Sequence, residues 1–261
     1  MGKVSTQLRD CTQLRSEAGE THAWKRVSLP EDVLGIPSML THEELQYLSW
    51  LTAEMYEGWG AIVDLGPWLG SSSAALADGL RRTGRPVTVR AFDLFQWARS
   101  YMESQAPENL PEGQDFQFLF RQHIAPFAAW IDAEKQDLMQ YHWEGGPIEI
   151  LFVDAAKSWD LTNQILRGFG HALVPNKSRV ILQDGRFWYT YWLPLIFDSR
   201  PDVWQEPESV EYGTTVSFRP LKPLFGPCGI TLPYSDEGFP IDSASAVFRS
   251  RIERESSTNR A

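Results

Sequence analysis

Apolar positions along the chain follow two periods, and the alternation between them predicts an α/β protein. Short apolar runs that end in an acid are typical of buried strands entering a turn. Apolar residues three or four positions apart lie between these runs and indicate amphipathic helices, the first of which starts at a capping box of Thr41 and Glu44. The pattern predicts strands at residues 62–65, 86–93, 116–122, 147–154 and 178–184, and an antiparallel pair at 210–212 and 214–219. It predicts helices at residues 42–57, 71–80, 124–140, 161–173 and 244–255.

Strands that alternate with helices imply a mostly parallel sheet that is covered on both faces. The chain has 261 residues, of which 43% are apolar, and this is enough for one sizeable core. We predict a flexible polar arm at residues 1–28, one domain at 29–220 and a Pro- and Gly-rich extension at 221–261 that ends in a short charged helix. The arm and the helix at 42–57 are expected to form either a lid or the contact of a homodimer.

The net charge and the cysteine content indicate which binding partners and which cellular compartment to expect. The net charge is −10 and no basic stripe is present, which argues against nucleic acid or an anionic membrane as a partner. Cys11 and Cys228 are far apart and show no metal-binding spacing, as expected in a reducing cytoplasm. The polar N-terminus shows no secretory signal, and no apolar run is long enough for a membrane helix.

Residues 61–72 form the most informative stretch. An apolar run that ends in an acid is followed by Gly66 and Gly70, and Ser71 is placed to cap the next helix. A strand, a tight glycine turn and a helix N-terminus together bring backbone N–H groups to a small ligand. The same pattern also occurs in a βα turn of an α/β protein that binds nothing.

Four predicted strands end in acids, which the sheet would bring to one edge. Parallel sheets bind ligands at the carboxyl ends of their strands. Carboxylates that share an edge repel one another unless a ligand or a cation organises them. These residues are Asp64, Asp93, Asp154 and Asp184. Their clustering predicts a site.

The order acid-x-Gly-x-x-x-Gly-x-Ser resembles the first motif of class I S-adenosylmethionine-dependent methyltransferases. The resemblance covers residues 42–220 and is nearest to the catechol-type and macrolide-sugar O-methyltransferases. It implies a Rossmann-like, mostly parallel seven-stranded sheet with helices on both faces and an antiparallel C-terminal strand. It also implies that S-adenosylmethionine is the cofactor.

The resemblance further implies which residues bind that cofactor. The first loop holds its methionine part, and Asp93 binds the ribose hydroxyls, since a carboxylate accepts two hydrogen bonds from a diol. Gln122 lies in a segment similar to the one that follows the third strand and borders the adenine. The full set of implied cofactor residues is Asp64, Gly66, Pro67, Trp68, Gly70, Ser71, Ser72, Asp93, Leu94, Gln122 and Asp154.

Asp154-Ala-Ala-Lys157 resembles the Asp-x-x-Lys of cation-dependent O-methyltransferases. In those enzymes the aspartate binds a metal and the lysine deprotonates the substrate hydroxyl, and a lysine near positive charge is expected to have a lowered pKa. Asp184 matches the next metal ligand, and the implied ion is Mg²⁺. The sequence departs from the family at Gly185, where the family has an Asn ligand, which leaves Gln183, substrate or water to complete the shell. A solvated lysine in a loop is the alternative interpretation of Lys157.

We therefore expect an O-methyltransferase that acts on a hydroxyl of a small molecule or a sugar. Two alternatives stay open at this point. One is a catalytically silent scaffold with the same fold in a glycan or natural-product assembly, and the other is a relative of the cephalosporin hydroxylases. His123 and His142 are candidate bases by residue type alone, whereas His171 is interpreted as structural. The aromatic stretch at 188–195 is expected either to line the acceptor pocket or to lie in the core.

Overall fold

A single β-sheet runs through the centre of the protein. The computed structural model describes residues 22–102, 104–205, 207–225 and 241–258. Within these ranges the strands are β1 (Ala61–Leu65), β2 (Val89–Asp93), β3 (Ile131–Lys135), β4 (Ile148–Val153), β5 (Arg179–Leu182), β6 (Glu208–Ser209) and β7 (Val216–Phe218). They form one sheet of seven strands in the order β3-β2-β1-β4-β5-β7-β6.

Helices cover both faces of this sheet. The described α-helices are α1 (Glu31–Leu34), α2 (His42–Trp50), α3 (Ser71–Thr83), α4 (Arg99–Met102), α5 (Gln117–His123), α6 (Trp159–Phe169), α7 (Trp192–Ile196) and α8 (Ile241–Thr258). The predicted capping box is present at the start of α2, and a π-helical turn at Leu51–Met55 continues that helix. Among the described residues, no helix combines the length and apolar character needed to cross a bilayer.

The strand order places a switch point between β1 and β4. Strand β1 pairs in parallel with β2 on one side and with β4 on the other, and β3 and β5 extend the parallel part. Strand β7 runs antiparallel to both β5 and β6. Ligands bind outside the carboxyl ends of the strands at such a point. The predicted fold class is therefore confirmed, including the antiparallel C-terminal strand.

Strand β4 separates two apolar cores. All six of its residues are buried. Because successive side chains of a strand point to opposite faces, Ile150 and Phe152 pack in the core that includes α2 and α3. Leu151 and Val153 pack in the core that includes α6 and α7.

The amino end of β4 carries a buried acid. The Glu149 side chain accepts hydrogen bonds from the backbone N–H groups of Gly58, Trp59 and Gly60 at 3.0, 3.0 and 3.3 Å, and also from that of Glu57. A buried carboxylate is tolerated when it is hydrogen-bonded in this way. Glu149 thereby fixes the turn before β1 onto β4.

Two predicted elements between β2 and β4 were wrong. Residues 116–122 lie in helix α5 and its N-terminal flank, because Phe116, Leu119 and Phe120 have helical spacing and are all buried. Residues 124–140 contain strand β3 instead of a helix. Strand β3 lies at the sheet edge and carries exposed charges, which protect an edge from further pairing but hide its strand pattern.

Two further expectations need correction at the chain ends. The flexible arm does not extend over residues 22–28, because Trp24 is buried and its ring packs edge-on against Tyr47 at 5.0 Å. The antiparallel pair exists, but its first strand is Glu208–Ser209, and residues 210–212 belong to the connecting loop. The C-terminal helix is confirmed as α8. Residues 1–21 of the predicted arm, most of the loop between β7 and α8, Cys11 and Cys228 lie outside the described residues.

Candidate active site

The turn between β1 and α3 has the conformation that its glycines predict. Gly66 has a φ of +85° and Gly70 a φ of +104°, values that favour glycine. A Cβ on Gly70 would lie 2.4 Å from Cγ2 of Ile124, and one on Gly66 would lie 3.0 Å from the backbone nitrogen of Ala155. Trp68 also has a positive φ, +47°, which is uncommon for a residue with a side chain. The turn is therefore both tightly packed and conformationally restricted.

Asp64 lies beneath this turn and is fully buried. Its Oδ2 accepts hydrogen bonds from the Ser72 and Ser73 hydroxyls at 2.9 and 2.6 Å, whereas its Oδ1 has no partner among the described residues. Burial raises the pKa of Asp64 to about 7, although the serine hydroxyls oppose this effect. The predicted capping role of Ser71 is wrong: Gly70 is the N-cap and Ser71 is the first helical residue.

Asp93 ends β2 beside the same turn. Its Oδ1 accepts a hydrogen bond from the Phe95 backbone N–H at 2.7 Å, and its Oδ2 accepts one from the Trp68 N–H at 3.3 Å. Burial raises the pKa of Asp93 to about 6, against the effect of these backbone donors. Each oxygen keeps acceptor capacity for a ligand. Leu94 follows with an exposed side chain, so both residues stand at the carboxyl edge where a ligand would lie.

The structure removes the reason for placing Gln122 at the adenine. Gln122 is exposed on α5, which precedes β3, so it is not in the segment that follows the third strand. The residue directly after β3 is Gln136, whose backbone N–H donates to the Asp93 carbonyl at 2.9 Å. The segment that follows β3 borders a cavity of about 450 Å³, lined by Gln136, Asp137, Gln140, Tyr141, His142 and Glu144.

Lys157 joins the two acids on the other side of the switch point. Its Nζ donates to Asp154 Oδ1 and to Asp184 Oδ2, both at 2.5 Å. Partial desolvation of the Lys157 amine lowers its pKa, but the two carboxylates outweigh this effect and raise it. The lowered pKa expected beside the positive charge of a metal and a cofactor stays a prediction. With its two carboxylate partners, the Lys157 side chain is an ammonium. Burial raises the pKa of Asp154 to about 6; Lys157 opposes this rise and Asp184 adds to it.

The residues at this point do not fit a magnesium site. Gly185 cannot be replaced by a ligand residue without movement, because a Cβ there would lie 2.8 Å from Cγ2 of Val216. The Gln183 amide nitrogen contacts the Thr214 hydroxyl at 3.4 Å. Mg²⁺ requires about six oxygen ligands. In the described ranges, three potential metal ligands converge only at His22, Glu43 and Glu211, a group that includes neither Asp154 nor Asp184.

An exposed aromatic group follows Asp184. It consists of Phe187, Trp188, Tyr189 and Tyr191. Trp188 is 81% exposed and contacts both neighbouring rings, with centroid distances of 5.9 Å to Phe187 and 5.6 Å to Tyr189. Trp192 is buried, and its indole N–H donates to the Ala156 carbonyl at 3.1 Å. The aromatic stretch is thus exposed at its start, buried from Trp192 onward, and attached to the loop that carries Lys157.

Two residues that the sequence analysis missed help to build the site. Ser73 makes the shorter of the two serine hydrogen bonds to Asp64. Arg251 of α8 donates to the Gly185 carbonyl and lies 3.6 Å from Asp198, so the C-terminal helix holds the loop after β5. Neither residue belongs to a recognisable motif. The candidate base His123 instead lies 3.8 Å from Glu108.

Comparison with known proteins supports the fold. No family model and no curated protein matches the sequence. Among solved structures, the O-methyltransferase NovP is 13% identical, with a TM-score of 0.54 over 69% of this chain and 80% of NovP. The SAH-bound methyltransferase PaMTH1 from Podospora anserina is also 13% identical, with a TM-score of 0.51 over 84% of this chain and 99% of PaMTH1. The chain therefore has the Rossmann-like fold of S-adenosylmethionine-dependent methyltransferases.

Proposed function

We propose that this protein is an S-adenosylmethionine-dependent O-methyltransferase that acts on a hydroxyl of a small molecule or a sugar. The main support for this proposal is that the Gly66–Gly70 turn and Asp93 lie side by side at the switch point of the sheet. The structures that share the fold include an enzyme described as an O-methyltransferase and a methyltransferase described as SAH-bound.

The cofactor side of the site fits the group that this function requires. The buried Oδ1 of Asp64 lacks a partner among the described residues, and the Gly66–Gly70 turn leaves no room for a Cβ at either glycine. We assign the methionine part of the cofactor to this turn and the ribose to Asp93. The adenine is assigned to the segment that begins at Gln136, in place of Gln122. When bound, the cofactor supplies an electrophilic methyl group on a sulfonium.

Asp154 and Lys157 have complementary roles in this proposal. Asp154 accepts the hydroxyl proton, while the Lys157 ammonium donates a hydrogen bond to the same oxygen and stabilises its developing negative charge. The bound cofactor would supply the methyl carbon to this oxygen, and its sulfur would keep the electron pair of the carbon–sulfur bond that is broken. The products are a methyl ether and S-adenosylhomocysteine, with the proton on Asp154. Lys157 is thus a cation in our mechanism, whereas the family resemblance implied a base.

The test of this proposal is calorimetric titration with S-adenosylhomocysteine, with and without Mg²⁺. We expect a micromolar dissociation constant, equivalent to about 8 kcal/mol, in both conditions. If the protein binds S-adenosylhomocysteine, the next experiment is a screen of phenolic and sugar acceptors. Absence of binding in both conditions would overturn the proposal and support the scaffold alternative.

A further inference from the structure

The position between Asp154 and Asp184 contains a cationic side chain. These two carboxylates follow neighbouring strands, β4 and β5, and the Lys157 Nζ lies 2.5 Å from an oxygen of each. In the cation-dependent enzymes that the motif resembles, two acids at these places hold a metal ion. Here one ammonium contacts both.

The surroundings carry a surplus of negative charge that this ammonium balances. Asp184 and Glu44 act on Asp154 electrostatically in the same direction, and Asp154 acts likewise on Asp64. Removal of the lysine charge would leave Asp154 and Asp184 close together, and close carboxylates without a counter-charge attract a cation.

The position next to Asp184 that would supply a further metal ligand is closed to a side chain. Val216 occupies the space that a side chain at Gly185 would need, and Val216 belongs to β7, which pairs with β5 along this edge. Gln183 is only 6% exposed and its amide nitrogen contacts Thr214. The closure comes from the packing of β5 against β7 and is therefore a property of the sheet.

We propose that the Lys157 ammonium replaces the divalent cation of related enzymes, so that the acceptor is bound by a cation that is part of the chain. This proposal concerns the same site as the proposed function and rests on it only for the presence of an acceptor. An ammonium offers hydrogen-bond donors but no open coordination position. The site then binds a single acceptor oxygen and has no means of chelating a diol.

The experiment measures Mn²⁺ binding by the loss of the free-ion electron paramagnetic resonance signal. Wild type and Lys157→Arg keep a cation and should show no saturable binding up to about 1 mM Mn²⁺. Lys157→Met removes the charge, and we expect it to bind Mn²⁺ saturably, with a dissociation constant at least about tenfold below this 1 mM limit. Adding Asp184→Asn to Lys157→Met should return binding to the wild-type level.

A matched control is available at the end of β3. Lys135 also pairs with an acid, Asp115, but among the described residues it pairs with that one carboxylate alone, so Lys135→Met should create no Mn²⁺ site. Because the Lys157 side chain is 56% exposed, we expect Lys157→Met to fold, and circular dichroism checks this. If it does not fold, Lys157→Gln provides the same test.

Two results would overturn the inference. One is Mn²⁺ binding by wild type that Asp184→Asn abolishes, and the other is no gain of Mn²⁺ affinity in the folded variants that lack the Lys157 charge. S-adenosylhomocysteine titration of the same preparations separates this failure from a failure of the proposed function, since the Mn²⁺ measurement requires neither cofactor nor acceptor.

Discussion

The two sides of the site satisfy their carboxylates in different ways. On the cofactor side, Asp64 and Asp93 accept hydrogen bonds from serine hydroxyls of α3 and from backbone N–H groups of the turn and of the segment after β2. On the acceptor side, Asp154 and Asp184 share one lysine whose side chain is 56% exposed. Backbone donors are fixed by the fold, whereas a long exposed side chain can move.

This difference indicates which side of the site already has its binding geometry before a ligand binds. The cofactor side has its geometry set by β1, β2 and α3, and binding there requires little rearrangement. On the acceptor side, an incoming hydroxyl must share Asp154 with Lys157. We therefore expect substitutions on the cofactor side to affect folding and cofactor binding together. Substitutions on the acceptor side should affect catalysis with little effect on folding.

The largest effect is expected at Gly70. Gly70→Ala places a Cβ against Ile124 at a φ of +104°, and we expect it to lower the free energy of unfolding by about 3 kcal/mol. Gly84→Ala is the control, because Gly84 has a φ of +66° and open space around it, so only about 1 kcal/mol is lost. Urea denaturation measures both, and equal losses would contradict the close packing of the turn.

The distinction between the two sides is tested by comparing S-adenosylhomocysteine binding in variants of each side. Asp93→Ala removes the ribose acceptor and the partner of two backbone N–H groups, so S-adenosylhomocysteine should bind about 100-fold more weakly, or about 2.7 kcal/mol. Asp184→Ala should change this affinity by less than about threefold. Asp132→Ala, an exposed acid on the neighbouring strand, is the control. A comparable loss in Asp184→Ala would remove the distinction between the two sides.

Stability of the ligand-free protein should depend on pH through Asp64. Its pKa is about 7 in the folded state and 3.8 ordinarily, so between these values the folded state binds more protons than the unfolded state. The free energy of unfolding therefore falls as pH rises from about 4 to about 7. We expect Asp64→Asn to remove a pH-dependent loss on the order of 3 kcal/mol, seen in denaturation at pH values across this window. Parallel pH profiles for the two proteins would show that Asp64 does not titrate there.

The smallest effect on folding is expected at Trp188. Its ring is 81% exposed, so Trp188→Ala should change the free energy of unfolding by less than about 0.5 kcal/mol and leave S-adenosylhomocysteine affinity unchanged. If the exposed aromatic group binds the acceptor, KM for the acceptor rises while kcat changes little. Trp192→Ala, a buried neighbour, should instead destabilise the protein by about 3 kcal/mol. Thermal unfolding and steady-state kinetics distinguish these outcomes.

The strand–turn–helix segment and the acid that ends the next strand could be predicted from sequence because their residues are local, whereas the expectations for Gln122 and for Ser71 as the cap were not met. Gly66, Gly70 and the acid before them fall within one strand–turn–helix segment, and Asp93 ends the next strand along the chain. The α/β class followed from the same alternation of strands and helices, whereas the resemblance implied the seven-stranded Rossmann-like sheet. Errors arose where tertiary burial decided the structure, as for α5, whose aromatic residues also suit a strand.

The sequence indicated which residues form the acceptor side, but it did not indicate how their charges interact. The spacing of Asp154 and Lys157 indicated a pair, but the second partner, Asp184, follows a different strand. The obstruction at Gly185 comes from Val216, and the contact that holds the same loop comes from Arg251 of α8. No short sequence window contains these residues together, so neither the raised lysine pKa nor the closed position next to Asp184 was accessible.

The buried Glu149 affects the register in which β4 pairs within the sheet. It lies at the amino end of the strand whose carboxyl end delivers Asp154, and each strand residue advances by about 3.3 Å. A slip of β4 by one residue would withdraw Glu149 from its backbone donors and turn Asp154 toward the opposite face. Glu149 thus disfavours misaligned pairing of β4 during folding. The position of Asp154, the proposed base, depends on the strand alignment that Glu149 stabilises.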